Sequence, residues 1–194
     1  MYLIYFIWIT EPLFNKKNKN KNYNTPFISI VISAKNESAN ISNLLIGLLN
    51  QTYPDTNYEI IIANDKSTDD TLNKLKQEKE QCNNLIVIDI NDTPINWASK
   101  KWALNKCIEY ANGDIILQTD ADCRHNENWI ESMLKPFNNH NVGFVCGPSY
   151  IGLKSKFWDE ILKLESIAQE SFTYANSKRK FYLSCTARNI AFRK

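Results

Sequence analysis

The sequence predicts an α/β fold: a mostly parallel sheet with helices on both faces. Three observations predict it. Short apolar runs alternate with stretches of helical periodicity in the order β-α-β-α-β-α-β. The runs lack the in–out alternation of a half-exposed strand, the pattern expected of strands covered on both sides. The chain has 194 residues, 43% hydrophobic and 23% charged, enough for one domain with a substantial core.

Each element has its own warrant. Phe27 to Ser33 is a β-branched run and reads as the first strand. Ile41, Leu44, Leu45, Leu48 and Leu49 then fall on one face of a helix that Tyr53-Pro54 ends. Tyr58 to Ala63 reads as a second strand. Asn64 to Asp70 reads as a turn, with Ser67 or Thr68 as N-cap to a charged helix over about Asp69 to Gln81. Leu85 to Ile90 is a third strand, followed by a loop with Pro94 and Trp97. A helix from Lys100 to Ala111 comes next, with Gly113 placed to terminate it. Residues 114–119 form a fourth strand, Trp129 to Phe137 a helix and Val142 to Ile151 a strand. Phe157, Ile161, Leu164, Ala168 and Phe172 mark a long helix, and Phe181 to Phe192 reads as strand-like.

Composition excludes several function classes. A net charge of +2 does not point to nucleic acid, and no nucleic-acid partner is expected. Five cysteines (82, 107, 123, 146 and 185) include no Cys-x-x-Cys pair, which argues against zinc and against a disulfide framework, and so for a reducing compartment. Cys107 and Cys146 lie in apolar stretches and read as small core residues. The first of the five glycines is Gly47, so the first strand–helix turn has neither a Gly-x-Gly-x-x-Gly nor a P-loop. That removes most dehydrogenases and NTPases, and also sugar-nucleotide pyrophosphorylases, which share the sheet but have a glycine-rich first loop.

Three segments are expected: an apolar N-terminal stretch (1–14), a polar linker (15–25) and the folded domain (26–194). Met1 to Ile9 is almost wholly apolar but shorter than the ~20 residues a spanning helix needs. It has no basic n-region or cleavage site of a signal peptide. Lys16, Lys17, Lys19 and Lys21 follow. An aromatic apolar stub before lysines resembles the cytoplasmic end of a membrane helix. The alternative is a terminus packing on the domain. The expected location is the cytoplasmic face of the plasma membrane, or the cytoplasm if the stub is not an anchor.

The acidic triplet Asp120-Ala121-Asp122 sits at the end of the fourth strand. Carboxylates one residue apart present hard oxygen ligands to Mg²⁺ or Mn²⁺, and strand ends are where open α/β sheets hold ligands. Asp-x-Asp also occurs in solvated turns. Three further segments fall at strand ends or helix starts: Ser33-Ala34-Lys35-Asn36-Glu37, Asn64-Asp65-Lys66-Ser67-Thr68-Asp69 and Lys100-Lys101-Trp102-Ala103-Leu104-Asn105. In a parallel sheet Asp65, Asp120 and Asp122 would converge on one edge with Lys100 near. Crowded carboxylates repel, so a divalent cation is the natural compensation, and metal with lysine suits a diphosphate. Plainer readings stand beside these. Asp65 can be a turn carboxylate, Lys100 and Lys101 solvated helix-start lysines, and Trp102 core rather than sugar platform. His125 can be a solvated loop histidine rather than a metal ligand, and Glu37 simple compensation of a helix dipole.

With these four motifs in this order, the chain resembles the family 2 glycosyltransferases of the GT-A fold, a Rossmann-like sheet. It is similar to their membrane-linked processive branch, which includes cellulose and poly-N-acetylglucosamine synthases. The resemblance covers about Pro26 to Lys194. It implies transfer of a sugar, with inversion, from a nucleotide-diphosphate sugar (UDP-linked) to a glycan or lipid acceptor, with Mg²⁺ or Mn²⁺ as cofactor. By the same resemblance, Ser33, Ala34, Lys35 and Glu37 line the nucleotide pocket, and Asp65 accepts a hydrogen bond from the base imide. Lys100 sits near the nucleotide or diphosphate, Asp120 contacts ribose or metal, and Asp122 ligates the metal.

The sequence departs from the pattern in four places. Asn64 stands where the family often has an acidic residue, Lys66 where it has a common glycine, and Arg188 where it has small residues. The family's catalytic base, in a Glu-Asp-type motif, and the processive branch's Gln-x-x-Arg-Trp motif lie downstream of the positions matched here. The expectation is a donor-binding half cut before its acceptor half, with a non-catalytic nucleotide-binding or scaffold fragment as the alternative. No catalytic base is assigned.

Overall fold

The structure, a computed structural model, describes residues 25–149, 156–178 and 185–194. The apolar stretch 1–14, the linker up to residue 24 and parts of the last two expected strands (150–151 and 181–184) lie outside the described residues. The elements in chain order are β1 (Ile28–Ala34), α1 (Ile41–Leu49), β2 (Tyr58–Asp65), α2 (Thr71–Gln81), β3 (Leu85–Ile90) and α3 (Ser99–Tyr110). They continue with β4 (Ile115–Thr119), α4 (Trp129–Leu134), β5 (Phe144–Cys146), α5 (Lys156–Lys178) and β6 (Asn189–Arg193).

Among the described residues the sheet has six strands in the order β3-β2-β1-β4-β6-β5. β1 pairs in parallel with β2 (Ile28 opposite Tyr58) and with β4 (Ile28 opposite Ile115), and β2 pairs in parallel with β3. The last two strands differ from the simple β-α alternation. β6 enters antiparallel between β4 and β5, with Thr119 opposite Asn189 and Cys146 opposite Ile190. β5 is three residues long, and its Phe144 and Cys146 are exposed, so Cys146 is not the core residue its apolar surroundings suggested.

Burial explains why the strands show no alternation. Ile28, Ile30, Ile32 and Ala34 of β1 face a cluster with Leu44, Leu45 and Leu48 of α1, Leu75 of α2 and Ile130 and Met133 of α4. Val31 faces the other way, with Ile61, Ala63 and Ile116, onto Ala103 and Cys107 of α3. Both sides of each central strand are therefore apolar. Within the unit Tyr23–Gly147 with Ala187–Lys194, these two clusters form the core. A second compact unit contains Pro148–Thr186 and carries α5, where the Ser149 N–H donates to Glu170. No helix among the described residues is long and apolar enough to cross a membrane.

Three local expectations change. The α4 helix stops at Leu134 rather than Phe137, and Lys135–Asn138 is a 3-10 turn. Pro136 has no N–H to continue the α ladder. Neither Ser67 nor Thr68 caps α2: the helix starts later, at Thr71, whose N–H is bonded by Asp69 at 3.0 Å. Gly113 does not act as a left-handed cap, since no described glycine has positive φ. Its role is close approach, because a Cβ there would lie 2.5 Å from the Ser29 backbone nitrogen.

That approach completes a buried polar staple at the far edge of the sheet from the strand C-termini. Glu59 is 6% exposed and accepts hydrogen bonds from the Ser29 hydroxyl (2.6 Å), the Asn112 N–H (2.6 Å) and the Asn112 side-chain amide (3.0 Å). The Gly113 N–H donates in turn to the Ser29 hydroxyl at 2.8 Å. A carboxylate this buried is tolerable because its lone pairs are used. Gly113→Ala should therefore destabilise the fold by about 1–3 kcal/mol or more, as overpacking against backbone that cannot yield. Urea denaturation checks this, and an unchanged midpoint would show that the strand start is freer than its packing indicates.

Candidate functional site

The parallel pairing sets β1, β2, β3 and β4 side by side with their C-terminal ends on one edge. β2 runs two residues further than expected, so Asn64 and Asp65 belong to the strand and not to a turn. Asp65 is 2% exposed, which removes its reading as a solvated turn carboxylate. β2 and β4 flank β1, so the ends carrying Asp65 and Asp120 are separated by two strand spacings, about 9–10 Å.

The start of α3 joins the two strand ends. The Ser99 hydroxyl donates to Asp65 Oδ1, and the next residue, Lys100, donates through Nζ to Asp120 Oδ1 at 2.7 Å. Lys100 and Lys101 are both exposed, and Lys100 is the one paired at the site. Asp122 is exposed beyond Asp120. The three carboxylates share the expected sheet edge, but among the described residues no group of three or more His, Cys, Asp and Glu is close enough to hold a metal. The Asp65 carboxylate is bonded to Ser99 and the Asp120 carboxylate to Lys100. What remains as a donor set is Asp120 with Asp122. Two hard carboxylates on one loop fit Mg²⁺ or Mn²⁺, which characteristically takes one or two protein carboxylates and draws other oxygens from substrate phosphates and water.

The remaining expected residues line the same edge. Ser33 and Ala34 end β1, half-buried and buried, and Lys35 is exposed just beyond them. Glu37 turns to its own loop, where its carboxylate accepts from the Asn40 amide at 2.6 Å. Trp102 packs against the α3-side core, with Trp97 edge-on at 5.3 Å and the Lys106 ammonium 4.5 Å from its ring, so it is not an exposed platform.

Hydrogen bonds lace the two loops that follow β1 and β2. The Asn36 N–H donates to the Ser67 hydroxyl (3.0 Å), the Thr68 N–H to the Asn36 side-chain oxygen Oδ1 (2.8 Å) and the Glu37 N–H to the Thr71 hydroxyl (2.8 Å). Asp69 accepts from Thr71 and from the Ser38 N–H, and these bonds, the Thr71 hydroxyl first, hold its carboxyl well below the usual range. Asn36 and Lys66 are the only described non-glycine residues at positive φ, 57° and 54°. Asparagine tolerates that region, and lysine does so only against a steric cost. Ser99 was not singled out from the sequence, and Asn36 and Asp69 appeared there only as members of quoted segments. A serine one residue before Lys100 was the available signal for the first.

His125 is not a solvated histidine. Its ring packs on Trp129 (centroids 4.1 Å apart) and its Nε2 lies 3.1 Å from the Thr119 hydroxyl. Burial pushes its pKa down to about 4. The loop after the acidic triplet is pinned to the end of α1. The Gln51 amide donates to the Asn126 carbonyl (2.7 Å) and the Thr52 N–H to the Glu127 carbonyl (2.8 Å). At Gly47 an added Cβ would press on the His125 carbonyl at 3.2 Å.

Residues 29–194 match the glycosyl transferase family 2. The chain belongs to that family. Among curated relatives, the beta-monoglucosyldiacylglycerol synthase of Nostoc sp. is 32% identical over 134 residues, 69% of this chain and 28% of that protein. Glycosyltransferase AglE of Haloferax volcanii is 29% identical over 122 residues, 63% of this chain and 39% of its own. The poly(ribitol-phosphate) beta-glucosyltransferase of Bacillus spizizenii is 41% identical over 95 residues, 49% and 14%. The chain therefore spans well under half the length of these relatives. A solved mannosyltransferase of Pyrobaculum calidifontis, in complex with GDP-Man and Mn²⁺, superposes on 98% of this chain and 51% of its own with a TM-score of 0.74 and 20% identity. Staphylococcus aureus TarS in complex with UDP-GlcNAc superposes on 67% and 36% with a TM-score of 0.55 and 22% identity. At these identities the likeness establishes the fold, which is GT-A.

The family's departures now have physical settings. Asn64 donates its amide to Asp89 at 2.7 Å, where an aspartate would set two carboxylates against each other. Lys66 occupies a left-handed position, the geometry for which glycine is the unstrained residue. Arg188 immediately precedes β6, whose Asn189 pairs with Thr119 beside the acidic triplet.

The depressed His125 gives a pH signature. The folded state holds the ring neutral, and the unfolded chain protonates it near pH 6.5, so the unfolded state binds more protons between about pH 4 and 6.5. Stability is complete above that window and falls by about 1–3 kcal/mol as pH drops through it. Asp69 acts lower, its contribution fading only below its ordinary range near 3.8. Urea midpoints from pH 7 to 4 should show the loss in the wild type and a flatter profile in His125→Gln. Parallel profiles would place the titration elsewhere.

Proposed function

We propose that this chain binds a nucleotide-diphosphate sugar, UDP-linked, as the donor-binding part of an inverting glycosyltransferase acting on a glycan or lipid acceptor. The observation that carries the reading is the start of α3, where Ser99 and Lys100, adjacent in sequence, engage Asp65 and Asp120 on strands two apart. One edge then offers a buried carboxylate for a base and, two strands across the sheet, a cation and two carboxylates for a diphosphate.

In this reading Asp65 accepts from the imide N–H of uracil, and Ser33, Ala34 and Lys35 line the nucleoside between β2 and β4. Glu37 supports that wall through its own loop. Lys100 faces the diphosphate, Asp120 the ribose or metal, and Asp122 the metal. Mg²⁺ or Mn²⁺, when bound there, neutralises charge on the departing diphosphate. Within the family we assign the chain to the membrane-linked processive branch at the cytoplasmic membrane face. The motif order and the apolar stub followed by Lys16, Lys17, Lys19 and Lys21 support that assignment.

Calorimetric titration of the full chain with UDP tests the site. Binding should strengthen at least about tenfold with Mn²⁺, and Asp65→Ala should weaken it about 10- to 100-fold, the worth of a charge-assisted hydrogen bond. Asp122→Ala should erase the metal dependence. No UDP binding, or full metal dependence in Asp122→Ala, would sink the assignment.

A further inference from the structure

We propose that Lys66, Thr93 and Ser99 are positioning residues that hold the Asp65 carboxylate in the orientation needed for nucleobase recognition. The inference rests on the reading of Asp65 given above. It concerns a ring of four side chains drawn from a strand end, the residue after it, the β3–α3 loop and the first turn of α3. Lys66 Nζ donates to Thr93 Oγ1, Thr93 Oγ1 lies 3.2 Å from Ser99 Oγ, and Ser99 Oγ donates to Asp65 Oδ1. Lys66 Nζ closes the ring 3.8 Å from the same Asp65 oxygen.

The donor inventory sets the direction of the ring. Lysine can only donate, and the single hydroxyl proton of Ser99 is committed to Asp65. The Thr93 proton therefore points to Ser99, and the order runs Lys66 to Thr93 to Ser99 to Asp65. A chain of hydroxyls with a cation at one end and an anion at the other polarises in one sense along its length, which strengthens each bond. Both contacts fall on Oδ1, and Oδ2 is left to a ligand N–H.

Torsion about the last bond of an aspartate is otherwise broad. Fixing it in the free protein removes an ordering cost from binding. The Asp65 side chain is 3% exposed, so the ring, not solvent, sets its orientation.

Lys66 supplies the second strand of the argument. At φ 54° it occupies backbone that a glycine would adopt without strain. The turn itself needs no side chain there, so what lysine adds is its ammonium, and the ammonium is spent on Thr93 and Asp65. Lys66→Gly should consequently relax the backbone while loosening the ring, moving stability and ligand affinity in opposite directions. A residue of purely structural importance would move both the same way.

The test is calorimetry of the full chain with UDP and with inorganic pyrophosphate, each with Mn²⁺, alongside thermal midpoints. Lys66→Gly should keep or raise the midpoint yet weaken UDP about fivefold or more, the equivalent of one lost hydrogen bond. Thr93→Val should weaken UDP comparably and Thr93→Ser should restore it, with pyrophosphate affinity unchanged throughout. Unchanged UDP affinity in Lys66→Gly and Thr93→Val, with Asp65→Ala impaired, overturns the ring while leaving the base-binding role of Asp65 intact. Pyrophosphate affinity falling in step with UDP overturns it also, by assigning Lys66 to the phosphates. Wild-type protein that binds no UDP removes the underlying reading instead.

Discussion

The position of β1 is the constraint on which the rest depends. It is paired in parallel on both sides, by β2 and by β4, and packed on both faces by apolar helices. A strand so enclosed has one register, because a one-residue slip would exchange its two packed faces. That register is anchored at the N-terminal edge by Glu59, Ser29 and Gly113. The other edge inherits the alignment, so Ala34, Asp65 and Asp120 arrive together as strand ends.

At that edge the chemistry depends on short polar bridges between elements far apart in sequence. Asn36 reaches Ser67 and Thr68, Glu37 reaches Thr71, Ser38 reaches Asp69, and Ser99 with Lys100 spans β2 and β4. The sheet positions the loop roots and these bonds position the loop tips. The acidic triplet is backed in the same manner, through His125 on Trp129 and through Gln51 and Thr52 on the following loop. The Asp65 and Asp120 carboxylates are held in place by the same kind of bridge.

The legible part of the fold was the part with strong local signals. The runs at 28–34, 58–65 and 115–119 are largely apolar because both faces of those central strands are buried, while 85–90, at the sheet edge, is apolar but only partly buried; the sequence shows the apolar runs directly. The antiparallel insertion of β6 was not legible, because Asn189–Arg193 is half polar and its partners, β4 and β5, lie 43 to 78 positions earlier in the chain. Gly113 was misread as a cap because a glycine after a helix carries that meaning in isolation; its real constraint is the Ser29 backbone across the sheet. His125 looked like a solvated residue because only the fold reveals Trp129 and Thr119 against it.

The sequence by itself determined the strand and helix order, the absence of a glycine-rich phosphate loop and the four polar segments that carry the family resemblance. These are properties of adjacent residues: apolar runs, helical spacing and strand-end motifs. Only the tertiary structure decided that Asp65 is buried on Ser99, that Asp120 is paired with Lys100 and that three carboxylates do not close on one point. Those facts depend on how strands register and where α3 begins relative to them, and distance in space between remote side chains is not encoded in any local pattern.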